Sequence, residues 1–484
     1  MTANDSFSDS LKRAFDLHNA GRHAEAEAVC RALAKTNPRD AQLLFLLGMI
    51  LHRMGRDEEA VKLLIEAVEA DPRSSRAFNG LGCAYQALKD HPRAAAGFAR
   101  AIELEPKSAD LRYSLGNVRY NMGEIELAAD CYRAAVELNP QDVASWCNLG
   151  KCLQELNRVD ESISVYDRAL AANPDELLAL YGRAISCLMA GRLREGYRDY
   201  ECRWRKIPQR DFPQPVWRGE TQPGKTLFLH AEQGFGDAIQ NVRLVAQARE
   251  RVGRVILECR PELKRLFAYS RCADVVIAHG EPIPPFDCFT SLQSLPLCLD
   301  LALETIPARV PYLRAPPFAN LPPPPPRHVK VGIVWAGNPG HHDDAERSLR
   351  LEQFAPILHV PRVAFYSLQL SVPARDAELL RSTPAIVDLC SKSHDFLDTA
   401  SAVAEMDLVI AVDTAVAHLA GALARPVWTL VRQPADWRWM LDRSDTPWYP
   451  TMRLFRQTQR GQWQPVIEQV AQALRSFSIP PAGA

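Results

Sequence analysis

Small and apolar positions recur with one fixed step through the first two hundred residues, and then the pattern changes. Gly48, Gly82, Gly116 and Gly150 stand 34 residues apart, and so do Ala67, Ala101, Ala135 and Ala169. A third phase with the same step carries proline: Asn37-Pro38, Asp71-Pro72, Glu105-Pro106, Asn139-Pro140 and Asn173-Pro174. Two small-residue phases predict two helices per unit that approach closely. Proline stops the second helix, and Gly21, Gly55, Gly123 and Gly191 serve the turn between the two. Each unit is then a helical hairpin whose apolar face is covered only by its neighbours. Five full units are expected over about residues 7–176.

A period of 34 with these residues resembles the tetratricopeptide repeat. A sixth unit stays in phase through Gly191 and Pro208 but reads REGYRDYECRWR, with Arg203 and Trp204 where an earlier unit has Ala169 and Leu170. That pair does not suit small-residue packing. Either the unit ends the solenoid and docks Tyr197, Tyr200 and Trp204 on the next domain, or it is a degenerate cap. The array is drawn over residues 1–210.

From Lys225 the pattern turns to short apolar runs separated by helical stretches, first KTLFLH and RVILECR. This alternation predicts parallel strands with crossover helices. PPFANLPPPPPR follows; its run Pro322 to Pro326 cannot be helix or central strand and acts as a semi-rigid spacer. Beyond it come VKVGIVW, VAFYSLQL, AIVDLC, DLVIAVD and PVWTLV. The reading is an α/β part with two lobes, residues 211–322 and 323–484. Open α/β sheets bind ligands at the carboxyl ends of their strands, so the chemistry is sought just after these runs.

Three stretches qualify. HAEQGFGDAIQ, residues 230–240, passes from a strand into a helix through Gly234 and Gly236 and then places Asp237 where a phosphate loop would want no negative charge. Asp237 fits a general base that takes a proton from a hydroxyl, and it also fits a plain helix cap. In DLVIAVDTAVAHLAGALARPVW, Asp413 ends a strand, Thr414 can cap the next helix, and His418 shares a helical face with Thr414. Free N–H groups at that helix start could seat a nucleotide diphosphate; an ordinary capped helix with a half-buried histidine reads equally well. In GIVWAGNPGHHDDAERSLRL, Arg347 and Ser348 near the next helix start could hold phosphate oxygens. His341, His342, Asp343 and Asp344 are adjacent, but neighbours in a loop rarely converge on one ion, so a solvated loop is preferred to a metal site. Near the end, Trp437, Trp439, Trp448 and Tyr449 stand among Arg438 and Arg443. They could stack on a base or sugar with the arginines near the phosphates, or pack back across the lobes, and no catalytic residue is assigned there.

Bulk properties narrow the partners. A chain of 484 residues exceeds one core, and a net charge of −1 without a dense basic stripe gives no footprint for nucleic acid. The start, MTANDSFSDSLKR, lacks the form of a secretory signal. The most apolar stretch, Val403 to Val431, is broken by Glu405, Asp407, Asp413, His418 and Arg425, so no bilayer crossing is expected. A cytoplasmic protein is expected, with its 12 cysteines as reduced thiols.

Residues of about 215–480 resemble a GT-B glycosyltransferase of the heptosyltransferase-like family, glycosyltransferase family 9. EQGFGDAI resembles its first-lobe glycine turn ending in aspartate, and DTAVAHLAG its Asp-Thr/Ser-Gly-x-x-His signature, with Ala415 in place of the glycine. With the array in front, the chain resembles bacterial tetratricopeptide-repeat glycosyltransferases, including YECRW and WRWMLDRSDTPWYPTMRLFRQ, and its plan is similar to that of protein O-GlcNAc transferase. The resemblance implies an α-solenoid followed by a GT-B fold of two Rossmann-like lobes, acceptor side first and nucleotide-sugar side second. It implies Asp237 as base, Gly234 and Gly236 in the glycine turn, Asp413, Thr414 and His418 in the donor turn, and Arg347 beside Ser348 near the donor phosphates. Transfer would be inverting and use no metal, in keeping with the lack of any Asp-x-Asp triplet. The acceptor, a protein or glycan, would be recruited by the concave face of the repeats. Two rivals remain: a scaffold whose transferase-like part has lost catalysis, and a dinucleotide oxidoreductase resting on Gly234, Gly236 and Glu258. The second lacks a third glycine, with Ile239 in its place.

Overall fold

The structure, a computed structural model, describes residues 3–206, 209–319, 321–340 and 343–477. Pro208, His341 and His342 of the sequence reading lie outside the described residues. The chain divides into two compact units, Met1–Gly182 and Arg183–Ala484.

In the first unit ten helices pair into five hairpins: Ala3–Asn19 with His23–Ala34, Ala41–Arg53 with Asp57–Ala70, Ser75–Ala87 with His91–Leu104, Ala109–Asn121 with Ile125–Leu138, and Val143–Glu155 with Val159–Ala172. The glycine phase marks where the two helices of a hairpin touch. A Cβ built on Gly82, Gly116 or Gly150 would come within 2.7 Å of the ring of Phe98, Tyr132 or Tyr166. The alanine phase is fully buried. A further phase completes each unit: Asp40, Ser74, Ser108 and Asp142 cap the first helices by accepting the N–H of Leu43, Ala77, Leu111 and Ala144. The inter-helix turn needs a positive φ, met by glycine at 21, 55 and 123 and, at the same phase, by Lys89 (φ 60°) and Asn157 (φ 58°).

The division between units falls inside the helix Leu177–Met189. Sequence period carries the array to residue 210, whereas compactness assigns everything from Arg183, including the helix Leu193–Tyr200, to the α/β part. That part holds two all-parallel sheets. The first orders its strands β3-β2-β1-β4, with β1 at Gln222–His230, β2 at Val252–Cys259, β3 at Val275–Ala278 and β4 at Cys288–Ser291. The second runs β10-β9-β8-β5-β6-β7, with β5 at Val329–Val334, β6 at Val363–Ser367, β7 at Ile386–Asp388, β8 at Leu408–Val412, β9 at Val427–Val431 and β10 at Met452–Arg456. Every apolar run read from the sequence is a strand. The strands it did not single out are β3, β4 and β10; the first two are four residues long, too short to show a period. Strand β8, LVIAV, is apolar and buried along its whole length, as a strand covered on both faces must be, and Val331, Ile333, Leu408 and Ile410 form the heart of the second core. Strand order reverses at β1 and again at β5 and β8, and crevices form at such points. The proline run joins the sheets, with Tyr366 donating to the Pro322 carbonyl at 3.0 Å. All twelve cysteines are free, and burial pushes thiols such as Cys30, Cys147 and Cys259 up to about 12.

Candidate functional site

After β1 the chain turns at Gly234 into the helix Phe235–Asn241. Asp237 occupies the third helical position, and its Oδ2 accepts the Gly234 N–H at 3.0 Å. It is therefore a cap, as one reading held, but only through one oxygen. Its Oδ1 forms an ion pair with Arg438, far along the chain in the second lobe. The two glycines do different things. Gly234 gives its N–H to Asp237, so it offers no free donor to a phosphate. Gly236 lies flat on the second lobe, where a Cβ would stand 3.0 Å from His418 Cδ2 and 3.4 Å from its Nε2.

His418 belongs to the helix Ala415–Ala422, which follows β8. It is 4% exposed, not half-buried; its Nδ1 lies 2.9 Å from the Tyr449 hydroxyl and its ring stacks on Trp439 at 5.1 Å. Burial, helped by the nearby Arg438 charge, pushes it down to about 3 and keeps it neutral. Thr414 occupies the N-cap position, yet its side chain makes no capping bond, and this corrects the expectation. The backbone there is extended, as capping requires, but Oγ1 is buried without a partner. Asp413 is pushed up to about 6 by burial and then by the charge of Asp436, against the pull of Arg347 and Arg438. Asp436 goes the other way: against its own burial, the Arg438 guanidinium and backbone N–H hold it low.

Arg347 and Ser348 lie at the end of a short helix, Asp344–Arg347, not at the start of one. The Ser348 hydroxyl is committed to the loop, accepting from Gly337 N–H and donating to Asp344 Oδ1, both at 2.8 Å. The Arg347 guanidinium packs over Gly337, where a Cβ would be 2.9 Å from Nε and Nη2, and from there its charge reaches Asp413. Asp343 pairs with Arg432 at 2.5 Å, and Asp344 lies 3.5 Å from Arg347 Nε. Among the described residues no group of three or more His, Cys, Asp or Glu could hold a metal ion. A cavity of about 340 Å³ sits in the repeats, lined by Asn117, Tyr120, Asn148 and Lys151. Another of about 460 Å³ opens beside Ser348, lined also by Arg350, Arg375, Gln433, Gln457 and Trp463.

The structure thus brings Asp237, Gly236, Asp413, Thr414, His418 and, through its charge, Arg347 to one cleft; Ser348 faces a separate cavity. Sequence reasoning named Arg438 only as one of two arginines near the phosphates, and it missed both Asp436 and the pairing of Arg438 with Asp237. A basic residue between two tryptophans was the available signal, since an arginine so placed is held among rings; Arg438 lies 4.3 Å from the Trp437 ring centre. The tryptophans themselves pack: Trp437, Trp439, Trp448 and Tyr449 are all buried. The segment after Leu193 also docks here. Tyr197 meets Trp437 edge to face at 5.9 Å, and buried Arg203 donates to Ser294 at 2.7 Å and to Glu232 at 3.2 Å. Arg243 pins the lobes together, donating to the Trp448 carbonyl at 2.5 Å and to Tyr312 at 2.8 Å. Glu258 is buried against Arg210, which leaves the dinucleotide reading without its ribose-binding acid.

Among the described residues no helix is long and apolar enough to cross a membrane. Residues 17–81 match a tetratricopeptide-repeat family, and 53–110, 79–143, 113–176 and 147–196 match another. Residues 371–462 match glycosyltransferase family 9 (heptosyltransferase). Protein FlbA of Caulobacter vibrioides is 26% identical over 342 residues, which is 63% of this chain and 56% of FlbA. The chain thus spans little more than half the length of that relative. Among solved structures, similarity extends to YrrB, described as a TPR protein with an unusual peptide-binding site (22% identity, 37% of this chain, 93% of YrrB, TM-score 0.35). It extends also to PilF of Pseudomonas aeruginosa (15% identity, 43% of this chain, 94% of PilF, TM-score 0.38). The chain carries tetratricopeptide repeats followed by a glycosyltransferase family 9 domain toward its C-terminal end.

Proposed function

We propose that the α/β part moves a sugar from a nucleotide-diphosphate donor to a hydroxyl acceptor, without a metal and with inversion, and that the repeats recruit the acceptor, a protein or glycan, on their concave face. The observation that carries this reading is the contact between Gly236 and His418: it sets the Asp237 turn of one lobe directly against the Asp413-Thr414 turn of the other. In the reaction the acceptor oxygen attacks the anomeric carbon as Asp237 takes its proton, and the bond from that carbon to the phosphate oxygen breaks. The departing diphosphate gathers charge, which the N–H groups at the start of Ala415–Ala422, the unpartnered Thr414 hydroxyl and Arg347 are suited to stabilise. His418, kept neutral, serves as a hydrogen-bonding wall of the cleft.

Thermal unfolding against a panel of sugar nucleotides and plain nucleoside diphosphates tests this. A ligand at a hundred times its dissociation constant adds about 2.7 kcal/mol to stability. One sugar nucleotide is expected to shift the midpoint, with the shift reduced by Thr414→Val. No shift with any of them, in protein that unfolds cooperatively, would transfer the assignment to a non-catalytic scaffold.

A further inference from the structure

Arg438 is shared. Its Nη1 donates to Asp436 Oδ1 at 2.8 Å, its Nη2 pairs with Asp237 Oδ1, and its side chain is only 13% exposed. The same guanidinium acts electrostatically on Asp413 and on His418, which line the start of the helix Ala415–Ala422. Three carboxylates, Asp237, Asp413 and Asp436, therefore stand among three cations, Arg347, Arg438 and Arg243, of which Arg243 is held by the carbonyls of Pro307 and Trp448 and by Tyr312. A diphosphate entering here adds negative charge that no cation of the site is free to balance, so it must draw one toward itself. Arg347 is held over Gly337 beside Asp344, whereas Arg438 presents a planar fork of N–H donors that matches phosphate oxygens as well as carboxylates.

Asp237 has the opposite need. With Oδ2 on the Gly234 N–H and Oδ1 on Arg438, both its oxygens are engaged and its charge is neutralised. A carboxylate in that state is poorly placed to receive a hydroxyl proton. We infer that Arg438 is a positioning residue that couples the two halves of the proposed transfer: it holds Asp237 in the empty cleft and passes to the donor's diphosphate when that binds, which frees Asp237 Oδ1 to accept the proton. This rests on the nucleotide-diphosphate reading above. It makes donor binding the event that arms the base, and it sets Asp237 and the diphosphate in competition for one guanidinium.

Competition has a signature that a merely structural ion pair lacks: removing Asp237 should tighten binding of the anion. The experiment is calorimetric titration of the full chain with ADP, GDP, UDP and dTDP, in wild type and in Asp237→Ala, Asp237→Asn, Arg438→Gln, Thr414→Val and the Asp237→Ala/Arg438→Gln double variant. The nucleoside diphosphate that binds wild type should bind both Asp237 variants about tenfold tighter, and the gain should vanish in the double variant, since contacting residues couple. Asp237→Asn keeps the size of the side chain, so a folding defect in the alanine variant does not hide the result. If Thr414→Val weakens binding while both Asp237 variants bind as wild type or worse, the coupling is overturned and the donor site stands. If no nucleoside diphosphate binds any variant, the donor reading falls and the coupling with it.

Discussion

In the repeat hairpins a buried contact is a glycine against the side chain sixteen positions on, restated from Gly48 to Gly150 with Leu64, Phe98, Tyr132 and Tyr166 as partners. Between the two lobes it is an acid against an arginine, Asp237 with Arg438 and Asp395 and Asp398 with Arg265, or a glycine against an imidazole, Gly236 with His418. The first kind of contact depends on shape, and its polar atoms are met inside the array: Tyr132 donates to Asn117 at 2.7 Å and Tyr166 to Gln154 at 3.3 Å. The second leaves several: Gln240, Thr414 and Trp448 all hold buried polar atoms without partners among the described residues. Such atoms cost free energy unless something satisfies them; the repeats hold some too, at His18, His91 and Arg112, but scattered, whereas Thr414 stands at the turn where the two lobes meet.

The sharpest way to break that contrast is at Asp237. Asp237→Asn should leave folding intact and lower transfer by about 10²–10⁴-fold, the usual worth of a general base; turnover measured with the donor found by thermal unfolding decides it, and an unchanged rate would remove Asp237 from the mechanism. Next in size is Asp413. Its native value of about 6 lies above the ordinary 3.8, so the ionised form is disfavoured in the fold. The associated stability is full below about pH 4 and is lost as the pH rises through 6. Asp413→Asn should therefore be more stable than wild type by about 2–3 kcal/mol at pH 8 and scarcely different at pH 4, read by urea unfolding at both. A stability gain on removing a site residue would mark the cleft as strained for use.

The repeats should respond in the reverse sense. Gly116→Ala places a methyl against the Tyr132 ring, which its hydrogen bond to Asn117 at 2.7 Å keeps from moving aside. Overpacking should outweigh the better helix propensity of alanine and destabilise the array by about 1–2 kcal/mol, visible in the first unfolding transition. The smallest effect is at Lys89, held at a φ of 60° where other units have glycine. Lys89→Gly should stabilise by about 0.5–1 kcal/mol, checked by the same unfolding curve.

What was legible follows the same line. Period is visible in a single sequence, so hairpins, turns and most strands could be read from spacing. Asp413, Thr414 and His418 were legible because a strand-turn-helix is local. The Asp237–Arg438 pair was not, since its members are 201 positions apart and no local pattern links them. Thr414 was misjudged as a cap because its position and its extended backbone both suit capping, and only the structure shows that its hydroxyl makes no bond to the helix. Ser348 looked like a phosphate ligand by type and place, and only the path of the loop shows that its hydroxyl is taken by Gly337 and Asp344.

The helix Leu193–Tyr200 keeps the repeat period yet buries Tyr197 against Trp437, and the turn after it buries Arg203 among Ser294 and Glu232. The seam along which an ancestral gene could have been cut and rejoined therefore lies before this hairpin, not after it. An array of another length or specificity can be grafted onto the same α/β half only if the last hairpin stays behind as part of the recipient.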